Sequence, residues 1–295
     1  MLESFSRRGL ACSACLWVCL LAACGGTDDP GRENVDAMTR EHAGDNGRPS
    51  AAGDTAPLTD VIGETLPYAE VDNHLVYGYF VFPIDMVEPL PAVIMIHEWW
   101  GLNDGLRAMA DRLAGEGYIV LAVDLFQGQT AENPDGARRL MLEVLENQNF
   151  AEENIQQAYD FLLNTANAPS VASLGWCFGG GWSLNTALMF PDSLSAAVMY
   201  YGQVTSDEEQ LQDLNVPILG IFAEQDRGIP VSSVEDFEGA LQRLRKNFTI
   251  RIYPEVGHAF ANPSGNSYNA AAAADAWQLT LDFLAQHLRS PAPST

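Results

Sequence analysis

An α/β domain, built on a mostly parallel sheet with helices on both faces, is what the sequence predicts, and three observations carry the prediction. Short unbroken apolar runs recur, such as Ala92-Val93-Ile94-Met95-Ile96 and Tyr118 to Val123, of the kind that strands buried on both faces require. Stretches with helical apolar spacing separate these runs, so strand and helix alternate along the chain. Turn residues, glycine above all, mark the junctions between them.

Each element follows in order. Leu75 to Phe82 alternates and is rich in aromatics, as a strand should be, with Pro67 to Val71 as its hairpin partner. The strand at residues 92–96 ends at His97, and helical spacing from Leu106 to Glu116 stops at Gly117. The strand at Tyr118 to Val123 leads to polar-faced helices at Asp135 to Asn147 and Ala151 to Asn164. Val171 to Trp176 is a strand, and a helix follows from Phe178 to Phe190. Further strands are predicted at Ala196 to Tyr200, Pro217 to Ala223 and Phe248 to Tyr253, with a helix from about Ser232 to Lys246 before the last. A final helix covers Ala270 to Leu288. The domain therefore spans residues 66–288 and is followed by a tail at 289–295. In such sheets ligands bind beyond the carboxyl ends of the strands, just after His97, Trp176, Ala223 and Tyr253.

The beginning of the chain reads as an address. Arg7 and Arg8 precede a short apolar stretch from Leu10 to Ala23, a signal segment too short to span a bilayer stably. It ends in Leu21-Ala22-Ala23-Cys24, which resembles the lipobox of bacterial lipoproteins. That resemblance implies removal of residues 1–23, acylation of Cys24 and anchorage in the bacterial cell envelope. By the same resemblance, Gly25 rather than Asp after the cysteine implies the outer membrane, facing periplasm or exterior. Residues 24–65 have few large apolar side chains and are expected to form a disordered acidic tether. Cys12, Cys15 and Cys19 leave with the signal, so their spacing is no metal motif, and Cys177 remains as the one thiol of the domain. One lysine and fourteen arginines face 39 acids, a net charge of −24 that excludes nucleic acid as a partner.

Chemistry concentrates at the strand ends. Gly175-Trp176-Cys177-Phe178-Gly179 places a nucleophile between a strand and a helix, with glycine two residues before and after it. The Phe178 N–H and the helix dipole would favour both a thiolate and a developing oxyanion. A nucleophile needs a base and the base an orienting acid. Asp226 follows the strand ending at Ala223, and His258 follows the strand ending at Tyr253. Of the other histidines, His42 falls in the expected tether, His74 precedes an early strand and His287 suits a helix end, so none is expected at the site.

These features resemble the dienelactone hydrolase family, a cysteine branch of the α/β-hydrolase fold. The resemblance covers about Tyr68 to Leu288 and rests on His97-Glu98-Trp99-Trp100-Gly101-Leu102-Asn103, Asp124-Leu125-Phe126, the Cys177 turn, Tyr201-Gly202, Asp226 and Gly257-His258-Ala259-Phe260. It implies that Glu98 contacts the resting thiol and gates its ionisation. It also implies that the Trp99 N–H joins that of Phe178 as the oxyanion hole. The expected activity is hydrolysis of small ester or lactone substrates through a thioester acyl-enzyme, with no metal and no organic cofactor. The same triad would serve a thioesterase or cysteine peptidase, and a non-catalytic ligand-binding lipoprotein is the alternative outside enzymes. One departure stands out. Dienelactone hydrolases hold a substrate carboxylate with two arginines, where this chain has Asn262 and the arginine-free segment Asp124 to Gly128. Trp99, Trp100, Trp176 and Trp182 suggest a bulky apolar pocket, although Trp182 is expected to pack in the core rather than line it.

Overall fold

The structure, a computed structural model, describes residues 30–48 and 56–289. The elements run α1 (Pro30–Glu41), β1 (Val61–Val71), β2 (His74–Pro83), β3 (Ala92–Ile96), α2 (Asp104–Gly115), β4 (Ile119–Val123), α3 (Pro134–Glu146) and α4 (Gln148–Asn164). They continue β5 (Val171–Trp176), α5 (Phe178–Met189), β6 (Ala196–Tyr200), α6 (Glu208–Leu211), β7 (Ile218–Ala223), α7 (Val231–Arg243), β8 (Phe248–Tyr253) and α8 (Ala270–Leu288). Cys24 and the signal segment lie outside the described residues, as does most of the tail. Among the described residues no helix is long and apolar enough to cross a membrane.

Eight strands form one sheet in the order β1-β2-β4-β3-β5-β6-β7-β8. The β1–β2 hairpin joins antiparallel, and β2 meets β4 antiparallel. Every pairing from β4 to β8 is parallel. This is the α/β-hydrolase fold, and the predicted α/β class holds. Strands β3 to β7 are buried along their whole length, because helices cover both faces and the core must be apolar on each. Side chains close the helix ends where the sequence offers Asn: Asn103, Asn133 and Asn269 each accept a backbone N–H in the first turn of α2, α3 and α8. Because β3, β5, β6, β7 and β8 run the same way, their carboxyl ends share one edge, and the loops that leave it build the site.

Two expectations need correction. The disordered tether assigned to residues 24–65 is partly ordered: α1 lies within it, and β1 begins at Val61. Composition misled at α1 because docking onto a preformed surface needs little apolar area. Val35 and Met38, three apart on one face, are both buried. Arg138 donates from Nε and Nη2 to Asp36, at 2.9 and 2.7 Å, and Arg32 pairs with Glu146 at 2.6 Å. The helix packs on α3, and its first turn carries Glu33 while its last carries Arg40, in keeping with the helix dipole. The second correction is His42, which is fully buried at the site rather than in a tether.

Candidate active site

Cys177 sits between β5 and α5 with φ 55° and ψ −116°, a region that costs a non-glycine residue on the order of 1–3 kcal/mol. Neighbours hold it there. Its N–H donates to the Tyr200 carbonyl at 3.0 Å, and its own carbonyl accepts from Gly180 and Gly181. The flanking glycines are required sterically. A Cβ on Gly175 would stand 2.0 Å from the Gly179 carbonyl oxygen, and one on Gly179 would stand 2.3 Å from that of Ile96. The turn thus presses α5 against the end of β3, leaving the sulfur at the carboxyl edge of the sheet.

His258, on the loop after β8, bonds through Nδ1 to Asp226 Oδ2 at 2.6 Å. The other oxygen of Asp226 accepts the N–H groups of Gly228 and Ile229, both at 2.8 Å, so the carboxylate is fixed from two sides. With Nδ1 occupied, Nε2 of His258 is the free ring nitrogen; it is buried without a hydrogen-bond partner and lies within 4.8 Å of the Cys177 sulfur. Burial disfavours the imidazolium, but the charges of Cys177 and Asp226 outweigh it and hold the pKa of His258 well above its usual range. Burial likewise opposes the thiolate, yet His258, followed by His42, brings Cys177 down to about 6.

Glu98, on the turn after β3, accepts from Asn262 Nδ2 at Oε2 and from the Tyr201 hydroxyl at 3.4 Å at Oε1. Its hydrogen bonds therefore run to these two groups, and its influence on the thiol is electrostatic. Burial, reinforced by the charge of Cys177, raises its pKa to about 7. Trp99 is fully buried, and its backbone lies in the turn after β3 while Phe178 opens α5 just past the Cys177 turn, at the same sheet edge. His97 and Asp124 support this edge. His97 Nδ1 donates to the Glu98 carbonyl at 2.6 Å while Nε2 accepts the Leu125 N–H at 3.1 Å, which fixes the neutral tautomer. Asp124 accepts from Phe126 and Gly128.

The residues that sequence reasoning missed come from the N-terminal segment. His42 stacks on Trp99 with ring centroids 4.5 Å apart and meets His258 edge-on at 5.2 Å. Its Nδ1 bonds Asp45 Oδ2 at 2.9 Å, and its Nε2 stands 3.8 Å from the Cys177 sulfur. The Met38 sulfur is 3.7 Å from the same atom. The spacing of Val35 and Met38 on one face of α1, between an acidic first turn and a basic last one, with His42 next in that spacing just past the helix, was the available signal.

His42, Cys177 and His258 form the one group of three metal-ligand atoms among the described residues, and these atoms lie within 4.8 Å of one another. Ligands about 2.0–2.3 Å from a tetrahedral zinc ion stand roughly 3.3–3.8 Å apart. Each Nδ1 is tied to a carboxylate, which orients the rings and leaves both Nε2 atoms facing the sulfur, able to take or give a proton. Two cavities adjoin it. One of about 310 Å³ is lined by Cys177, Met38, Phe178, Trp182, Tyr201 and Ile229, with α1 as its roof. A smaller one of about 80 Å³ is bounded by Glu98, Trp100, Trp176, Tyr201 and Asn262. Trp100 and Trp176 thus line space, as the apolar-pocket reading expected; Trp182, expected in the core, borders the larger cavity, and Trp99 is roofed by His42.

Comparison with known proteins agrees with this arrangement. The profile of the dienelactone hydrolase family matches residues 76–288. Protein usf of Aquifex pyrophilus is 35% identical over 205 residues, covering 67% of this chain and 89% of its own. A protein of Escherichia coli K12, provisionally named a carboxymethylenebutenolidase, is 32% identical over 224 residues, 71% of this chain and 82% of its own. The crystal structure of a Klebsiella pneumoniae protein, provisionally described as a dienelactone hydrolase, superposes with a TM-score of 0.68 at 27% identity, over 77% of this chain and 100% of its own.

Proposed function

The chain belongs to the dienelactone hydrolase family, and on that premise we propose that it hydrolyses carboxylic ester or lactone bonds with Cys177 as nucleophile, His258 as base and Asp226 as its orienting acid. The observation that carries this reading is the fixed Asp226–His258 pair at 2.6 Å, whose unpartnered Nε2 is turned toward a thiol on a strained strand–helix turn.

The thiol proton passes to His258, and the thiolate attacks the carbonyl carbon. The carbonyl π pair moves to oxygen, where the N–H groups of Trp99 and Phe178 receive it. Collapse breaks the ester C–O bond, and the departing alkoxide takes the proton from His258. A water then loses a proton to His258 as it attacks the thioester; the C–S bond breaks and the thiolate returns. Glu98, about half-protonated at neutral pH, opposes the thiolate less than a fully charged carboxylate would. Every step uses groups of this chain.

Cys177→Ala tests the reading. On a panel of small aryl esters and lactones, kcat/KM is expected to fall by about 10³-fold or more, leaving the contribution of the oxyanion donors and binding alone. Wild-type turnover in the variant removes the cysteine mechanism. No turnover of any ester by the wild-type protein would favour a ligand-binding role instead.

A further inference from the structure

One thiol stands against two imidazole–carboxylate pairs. His258 with Asp226 comes from the loops after β8 and β7, and His42 with Asp45 comes from the segment that follows α1. Both rings engage their carboxylate through Nδ1 and turn Nε2 toward the Cys177 sulfur, with interplanar angle 87° between them. The second pair is built into the body of the domain. The Asp45 Oδ1 accepts the Asn266 N–H at 3.0 Å, Asn103 Nδ2 donates to the Gly47 carbonyl at 3.2 Å, and His42 stacks on Trp99.

We propose that His42, oriented by Asp45, is a second catalytic imidazole whose Nε2 hydrogen-bonds the Cys177 sulfur and shares its proton with His258. The inference rests on Cys177 being the nucleophile. At rest the thiol proton resides on the imidazole pair, and the thiolate accepts from Nε2–H. When the thiolate becomes a thioester, that proton leaves with the alkoxide through His258, and His42 is then neutral. When the C–S bond breaks, the pair again holds one proton and His42 again donates to sulfur.

The groups around His42 fit this role. Asp45 lies on its own turn, Cys177 at the β5–α5 turn, His258 after β8 and Glu98 after β3, and behind these Tyr201 after β6 meets His258 and Glu98 while Asp226 after β7 holds His258. Burial works against the His42 cation, but Asp45 and Cys177 overcome it and raise its pKa, while the charge of His258 pulls the other way. The two imidazoles face one sulfur and repel each other's charge, so they titrate as a coupled pair rather than independently.

The test uses the full-length protein and its His42→Gln and Asp45→Asn variants. The rate at which iodoacetamide carbamidomethylates Cys177, followed by mass spectrometry of the Cys177 peptide, is measured from pH 5 to 9, alongside kcat/KM for an aryl ester. His42→Gln is expected to move the midpoint of thiol ionisation up by one pH unit or more, which makes alkylation at pH 6 about fivefold slower or more for a thiol that starts near 6. The ester pH profile should move with it. Asp45→Asn should move both in the same direction by less, and it keeps the shape of the turn should His42→Gln fold poorly. An unmoved midpoint in both variants overturns the proposal. Faster alkylation at every pH with the same midpoint also overturns it, and would make α1 a cover alone. Turnover surviving Cys177→Ala would strike at the nucleophile reading instead, whereas the alkylation curve addresses His42 without reference to turnover.

Discussion

Asp226 and Glu98 show how one sheet edge gives two carboxyl groups opposite characters. Asp226 receives two backbone N–H groups and an imidazole, so its charge is held by fixed donors. Glu98 has an amide and a hydroxyl, and it lies beside a sulfur that tends to ionise. Burial and that neighbouring charge raise its pKa from the ordinary 4.5 to about 7. A group whose pKa is higher in the folded state stabilises the fold fully below its unfolded pKa, and this contribution fades as the pH rises through the folded value. The window for Glu98 is therefore about pH 4.5 to 7. Glu98→Gln cannot ionise and is expected to lose less thermal stability than the wild type between pH 5 and 8. Unfolding midpoints across that range check it, and parallel curves would mean that Glu98 is not neutral at rest.

Among the elements, the β5–turn–α5 unit is the least tolerant of change, because backbone rather than side chains surrounds its glycines. Gly179→Ala would place a Cβ 2.3 Å from the Ile96 carbonyl and 2.6 Å from that of His97, and neither can rotate away. Overpacking of this kind costs typically about 1–3 kcal/mol and occasionally more. At roughly 2–4 °C per kcal/mol for a domain of this size, the melting temperature should fall by at least about 2 °C. An unchanged melting temperature would show that the turn relaxes freely. This unit was legible in the sequence because strain and close approach demand glycine at fixed offsets. The buried strands were legible because they are almost wholly apolar, Asp226 because its loop follows such a strand, and His258 because its loop follows the alternating strand β8. Edges were harder. The first half of β1 is largely exposed, so its order comes from backbone pairing with β2, which leaves no apolar alternation to read. Helix α1 escaped because its order depends on contacts more than 100 residues away, such as Asp36 with Arg138, and these have no local signature. His42 escaped with it, since a histidine gains its meaning from the side chains that the fold brings to it.

At the scale of the whole molecule, charge decides which substrates can approach. The net charge of −24 gives a field that slows anions, although salt screens most of it beyond about 8–10 Å. Local features act more strongly. No arginine or lysine lines either cavity at the site among the described residues. Asn262, where the family resemblance leads one to expect an arginine, is instead engaged with Glu98. Arg227 faces a separate surface pocket that it shares with Glu41, Glu224 and Glu255, so it does not replace the missing cations. Each hydrogen bond to a charged group contributes about 1.5–3 kcal/mol, so the loss of two should cost a carboxylate-bearing substrate about 3–6 kcal/mol. At 1.4 kcal/mol per tenfold, that is roughly 10²–10⁴ in kcat/KM relative to an enzyme with both arginines. Neutral esters and lactones forgo nothing, and Trp100, Trp176 and Trp182 offer them apolar walls. The comparison is kcat/KM for a lactone carrying a free carboxylate against its neutral methyl ester, at one ionic strength. The neutral compound is expected to be turned over faster, and raising the salt should narrow the gap only slightly, because the deficit comes from missing contacts rather than the long-range field. Faster turnover of the free acid would mean that a cationic group reaches the cavities when substrate binds.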